Sequence, residues 1–146
     1  ARDELIRSVA ALPDYARYYI LLFNRGFEAP PGQDGWTRAR PAAVSRLSRW
    51  LEDVDPDGGT EPASAFQRAF TLTPRPDVIF FLTDGIIPAE TGDLVAELNA
   101  GGAKVVINTI AFGDPSSQEL LKRIASDSGG VYRFVAAGSS SVERAN

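Results

Sequence analysis

The sequence predicts an α/β domain with a doubly wound, mostly parallel sheet and helices on both faces. Three observations carry that prediction. The runs Tyr18 to Phe23 and Val78 to Leu82 are apolar on both strand faces, as in strands buried inside a parallel sheet, and Lys104 to Ala111, with Val-Val-Ile-Asn-Thr-Ile-Ala in its interior, is a third strand. The stretches between them repeat apolar residues at three and four positions, the period of a helix packed on one side. The connections are short, so helix and strand alternate as they do in crossover units.

Taken in order, Leu5, Ile6, Val9 and Leu12 share one face of a helix over 1–12, which Pro13 ends. Tyr18 to Phe23 is a buried strand. The Pro- and Gly-rich segment 27–40 is a loop with a short edge strand near Trp36, the one aromatic placed as an exposed contact. Pro41 opens a helix carrying Val44, Leu47, Leu51 and Val54, and Asp57-Gly58-Gly59 breaks it. Thr60 stands at an N-cap position, before a helix whose buried face is Ala63, Phe66, Ala69 and Phe70. Val78 to Gly85 is the central stretch, a buried strand ending in Thr83-Asp84-Gly85. Leu94, Val95 and Leu98 mark the next helix, and Gly101-Gly102 stops it. After the strand 104–111, Ser116 and Glu119 have capping-box spacing ahead of a helix through Leu120, Leu121, Ile124 and Ala125. Val131 to Val135 alternates like an edge strand.

The chain opens on a helix that, in such a sheet, normally follows a strand, and that strand is not in the sequence. The expected domain is therefore 1–136, lacking its central first strand, with a flexible Ser-rich tail over 137–146. The strands Tyr18 to Phe23 and Val78 to Leu82 should flank the unfilled place without bonding to each other.

Composition narrows the chemistry. The chain has 146 residues, enough for one core, with 44% hydrophobic and 23% charged residues, an ordinary globular balance. No apolar run approaches the ~20 residues that cross a bilayer. The formal charge is -4 and the arginines are scattered, which argues against a nucleic-acid partner. Cysteine and histidine are both absent. That removes the Ser-His-Asp triad, the Cys-His pair and ordinary zinc sites, leaving oxygen donors suited to a hard cation.

Two pieces belong at the carboxyl edge of the sheet, where open α/β sheets bind ligands: Gly58-Gly59-Thr60 and Thr83-Asp84-Gly85. The Thr60 hydroxyl and the Asp84 carboxylate are hard donors of the kind magnesium takes. The residues alone also allow a plainer reading, in which Asp84 caps the following turn and Thr60 caps its helix. Neither phosphate-loop glycine pattern is present.

With Phe23-Asn24, Gly58-Gly59-Thr60, Phe81-Leu-Thr-Asp-Gly85, Asn108-Thr-Ile-Ala-Phe-Gly113 and Gly129-Gly130-Val-Tyr132 in this order, the chain resembles a von Willebrand factor A domain from Ala1 to about Val135. The resemblance implies a Rossmann-like fold with a metal-ion-dependent adhesion site built from three motifs. Thr60 matches the second and Asp84 the third; the Asp-x-Ser-x-Ser motif of the first is missing with the first strand. It further implies a non-enzymatic protein-binding module, in which magnesium, or another hard divalent cation such as calcium or manganese, receives a partner's carboxylate. In this fragment the ion is expected to be weakly held or absent. The composition suggests a bacterial source. Two alternatives remain at this stage: a degenerate scaffold that assembles without metal, and a phosphate-handling α/β enzyme using Asp84.

Overall fold

The structure is a computed structural model that describes residues 2–13, 15–23, 27–30, 33, 35–53, 61–83 and 86–136. Its most regular part is a three-stranded parallel sheet of β5 (Val78–Thr83), β6 (Val106–Phe112) and β7 (Tyr132–Val135), in that order. Val78 pairs with Val106 and Thr83 with Ala111; Thr109 pairs with Tyr132 and Phe112 with Val135. Helices α4 (Thr91–Ala100) and α5 (Gln118–Ser128) supply its two connections, and α3 (Ala63–Phe70) leads into β5. Phe66, Phe70, Phe81, Val95, Val105, Ile107, Leu121 and Ile124 form its core.

Polar side chains in this half are consumed by the backbone. The Thr109 hydroxyl donates to the Leu121 carbonyl at 2.9 Å, tying α5 to β6. Asn108 Oδ1 accepts from the Val131 N–H at 2.8 Å, and so sets the approach of β7. Arg75 donates to the carbonyls of Leu98, Asn99 and Ala103, at and just beyond the end of α4. Gly129 ends α5 with φ +83°, the left-handed position that favours glycine. A Cβ on Gly130 would overlap the Ile107 carbonyl, so β6 passes there against bare backbone.

The other half contains α1 (Arg2–Ala10), α2 (Pro41–Asp53) and two very short antiparallel pairs. In these, β1 (Arg17–Tyr18) meets β4 (Thr37–Arg38) and β2 (Leu22–Phe23) meets β3 (Phe27–Glu28). Its core is Val9, Tyr18, Ile20, Ala39, Ala43, Leu47 and Leu51. The buried strand expected over Tyr18 to Phe23 is thus interrupted and antiparallel. At the interruption, the side-chain amide of Gln33 takes the place of a strand, accepting from the Ile20 N–H at 3.0 Å and donating to the Ile20 carbonyl at 2.9 Å.

Among the described residues no ladder joins 17–23 to β5, as expected for strands flanking an unfilled place. The two halves meet through side chains, with the rings of Phe23 and Phe81 5.5 Å apart. The strand β5 departs from expectation in a related way. Phe81 and Thr83 are buried, but Val78 and Phe80 on the other face are 43% and 54% exposed. The reason is packing: α3 covers the Phe81 face, where Phe66 lies 4.9 Å away, while α1 and α2 pack on each other in the second core.

Candidate functional site

Parallel strands deliver their following loops to one edge, and here two such loops are fastened together. After β5 the chain passes Asp84 and Gly85, then exposes Ile86 (62%) and buries Ile87 (4%). After β6 it turns at Gly113 to Ser116, with Asp114 Oδ1 accepting from both the N–H and the hydroxyl of Ser116. These charge-assisted bonds hold the Asp114 carboxyl below the usual carboxylate range. The Ser117 hydroxyl accepts from the buried Ile87 N–H at 3.1 Å, joining the first loop to the start of α5.

This arrangement corrects the capping box expected at Ser116 and Glu119. The N-cap of α5 is Ser117, and it makes no side-chain capping bond. Ser116 is engaged by Asp114 and Ser117 by Ile87, so neither hydroxyl is turned to its own helix. Trp36 is corrected as well. Its indole N–H donates to the Pro74 carbonyl at 2.9 Å and its ring meets Tyr19 edge-on, so it holds the fold together.

Both expected ligands, Thr60 and Asp84, lie outside the described residues, as does the tail 137–146. What is described is where the flanking chain goes. Thr83 closes β5 at the carboxyl edge. Pro62 is the N-cap of α3, which packs back along β5 with Phe66 against Phe81. The N-cap position thus falls two residues beyond Thr60, at Pro62, with no side-chain capping bond there. By chemistry the pair fits a hard divalent cation, since both donors are oxygen and the sequence offers no imidazole or thiolate to favour a softer metal. Among the described residues no group of three or more acidic side chains forms a metal cluster.

A groove of about 330 Å³ lies elsewhere, between α4 and α5 near the amino end of β6, lined by Val95, Asn99, Lys104, Ile107, Asp127 and Ser128 among others. Its polar floor is internally satisfied: Asn99 bonds both backbone groups of Val105, and Ser128 bonds Ile107. Neither Ile87 nor Ser117 lines it.

The sequence model of the von Willebrand factor type A domain matches residues 3–134. The chain belongs to that family. Among solved structures it is similar to a von Willebrand factor type A protein from Catenulispora acidiphila, with TM-score 0.78 and 16% identity, covering 98% of this chain and 35% of that one. It is also similar to proximal thread matrix protein 1 from the mussel byssus in a form with a zinc-occupied MIDAS motif, with TM-score 0.69 and 19% identity, covering 97% and 37%. The chain therefore spans about a third of the length of these structures. At such identities the likeness shows the fold. No curated protein matches the sequence. Among the described residues no helix is long and apolar enough to cross a membrane.

Proposed function

We propose that the chain is a non-enzymatic protein-binding module that engages a partner's carboxylate through a divalent cation at the carboxyl edge of its sheet. Thr60 and Asp84 would hold the ion, most naturally magnesium, with further oxygen donors and water completing its shell. When bound, the ion supplies a positive charge with an exchangeable position for an acidic side chain. The observation that supports the reading is the chain on either side of Asp84, where β5 ends at Thr83 and the Ile87 N–H is bonded by Ser117, in a chain that belongs to the von Willebrand factor type A family. The absence of histidine and cysteine from the sequence supports binding over turnover, because it removes imidazole as a base and thiolate as a nucleophile.

The test is a magnesium titration by calorimetry of the full polypeptide with its expected first strand and motif present, with Asp84→Ala and Thr60→Ala beside it. Magnesium should bind and raise Tm, Asp84→Ala should abolish both effects, and Thr60→Ala should weaken them. A protein whose Tm and heats ignore magnesium would leave the metal-free scaffold in its place.

A further inference from the structure

In the short ladder of β1 and β4, Arg17 stands opposite Arg38 and Tyr18 opposite Thr37. The Ala39 N–H donates to the Ala16 carbonyl at 3.0 Å, so the two arginines form the pair that exchanges no backbone bonds, the closer of the two kinds in an antiparallel ladder. Successive strand residues point to opposite faces. Tyr18 and Ala39 enter the core they share with Leu47 of α2, and the arginines therefore project together from the other face. The next pair on that face, Tyr19 and Trp36, extends the register, with rings edge-on at 6.2 Å. Arg68 of α3 lies 5.6 Å from the centre of the Tyr19 ring and donates to its hydroxyl at 3.2 Å, adding a third guanidinium.

Like charges directly opposite each other destabilise a strand pair. Arg17 and Arg38 are both exposed, and among the described residues neither has a carboxylate partner; the two ion pairs found there both belong to Arg123, in the other half. The fold thus gathers arginines that are far apart in the sequence and leaves their charge without an internal counterpart. Each guanidinium is a planar fork that takes a carboxylate through two parallel N–H bonds.

We infer that the Arg17–Arg38 pair recognises an acidic segment of a partner polypeptide, each arginine taking one of its carboxylates. Bringing in the anions turns a repulsive pair into two attractive ones. A peptide suits the patch better than nucleic acid, because the basic groups are few and local while the chain as a whole carries a formal charge of -4, which repels a long polyanion. The contact needs no cation and stands apart from the carboxyl edge of the parallel sheet.

The experiment measures binding of labelled hexaglutamate to the full polypeptide by fluorescence anisotropy, at low ionic strength and with EDTA present so that no divalent cation contributes. Labelled hexaglutamine and an oligothymidylate are the comparison probes. Arg17→Ala and Arg38→Ala should each weaken hexaglutamate binding by about fivefold, as for exposed ion pairs, and added salt should weaken it in the wild type. Arg49→Ala removes the same charge from an exposed position of α2, on the other side of the ladder, and should leave binding unchanged. The two ladder variants should keep or raise Tm, because each relieves the like-charge pair, whereas an arginine with a structural role would lower it. A wild type that ignores hexaglutamate, or takes hexaglutamine equally well, overturns the inference. So does unchanged affinity in both ladder variants, or a loss in Arg49→Ala equal to theirs, which would reduce the effect to net charge. Tighter binding of oligothymidylate, lost in the same two variants, would assign the pair to nucleic acid and overturn the peptide reading.

Discussion

The two halves of the molecule solve the same problem differently. Around β6, backbone groups are paired on both sides by parallel ladders, six positions against β5 and four against β7. Around Ile20, the ladders are two positions long and a side chain, Gln33, completes the pairing of a buried residue's backbone. Both halves have an apolar core, so hydrophobic patterning is not what separates them. The difference is how much of each core is framed by repeated backbone bonds, and it predicts that the first half resists local opening while the second depends on single contacts.

The largest effect should come from emptying the better-framed core. Leu121, fully buried against β6, cannot easily be replaced by collapse of its surroundings, so Leu121→Ala should cost about 3–5 kcal/mol in urea unfolding. Leu47, 3% exposed between α1 and α2, loses a similar volume in a region with fewer fixed neighbours, and Leu47→Ala should cost about 2–3 kcal/mol. Equal or reversed costs would break the comparison.

The next effect tests the side-chain substitute itself. Gln33→Ala leaves the N–H and C=O of Ile20, a residue 7% exposed, without their partners and should cost about 2 kcal/mol. Gln33→Glu is a sharper probe. Its carboxylate still accepts from the Ile20 N–H but faces the Ile20 carbonyl with no proton to donate, so at neutral pH it should stabilise no better than alanine. Exchange at the Ile20 amide should rise by a larger factor in Gln33→Ala than exchange at Ile107, which reports on the other half.

The same division explains what was legible in the sequence. The strands β5 and β6 and the helix α5 follow from apolar runs, periodicity and the Gly129-Gly130 stop, because ladders and helices impose regular spacing on their residues. Tyr18 to Phe23 has an apolar run of the same kind, yet its partners are decided by distant chain, and a glutamine 13 residues away interrupts it. At the site, the short Thr-Asp-Gly and Gly-Gly-Thr pieces were visible as hard donors. Ser117 was not, since nothing local distinguishes it from Ser116, and the capping-box spacing to Glu119 pointed at the wrong serine. What it does instead is bond Ile87, a folded contact that no spacing encodes. The exposure of Phe80 was hidden for a related reason: an apolar run shows that a strand can be covered on two faces, while coverage depends on where other helices go.

The smallest effect concerns the turn that steadies Ser117. Asp114 is held by two bonds from Ser116, and its carboxyl titrates below its ordinary value of 3.8. A carboxyl whose folded value is depressed adds stability above the unfolded value and loses it as pH falls through the folded one. Asp114→Asn retains an oxygen acceptor but loses the charge, so its Tm should lie slightly below that of the wild type at neutral pH, with the gap constant down to the ordinary value of 3.8 and closing below it. Salt should narrow the gap, because the carboxylate lies at the surface. A gap that widens on acidification would mean that the wild-type turn prefers a protonated Asp114, and the bond between Ser117 and Ile87 would then need another support.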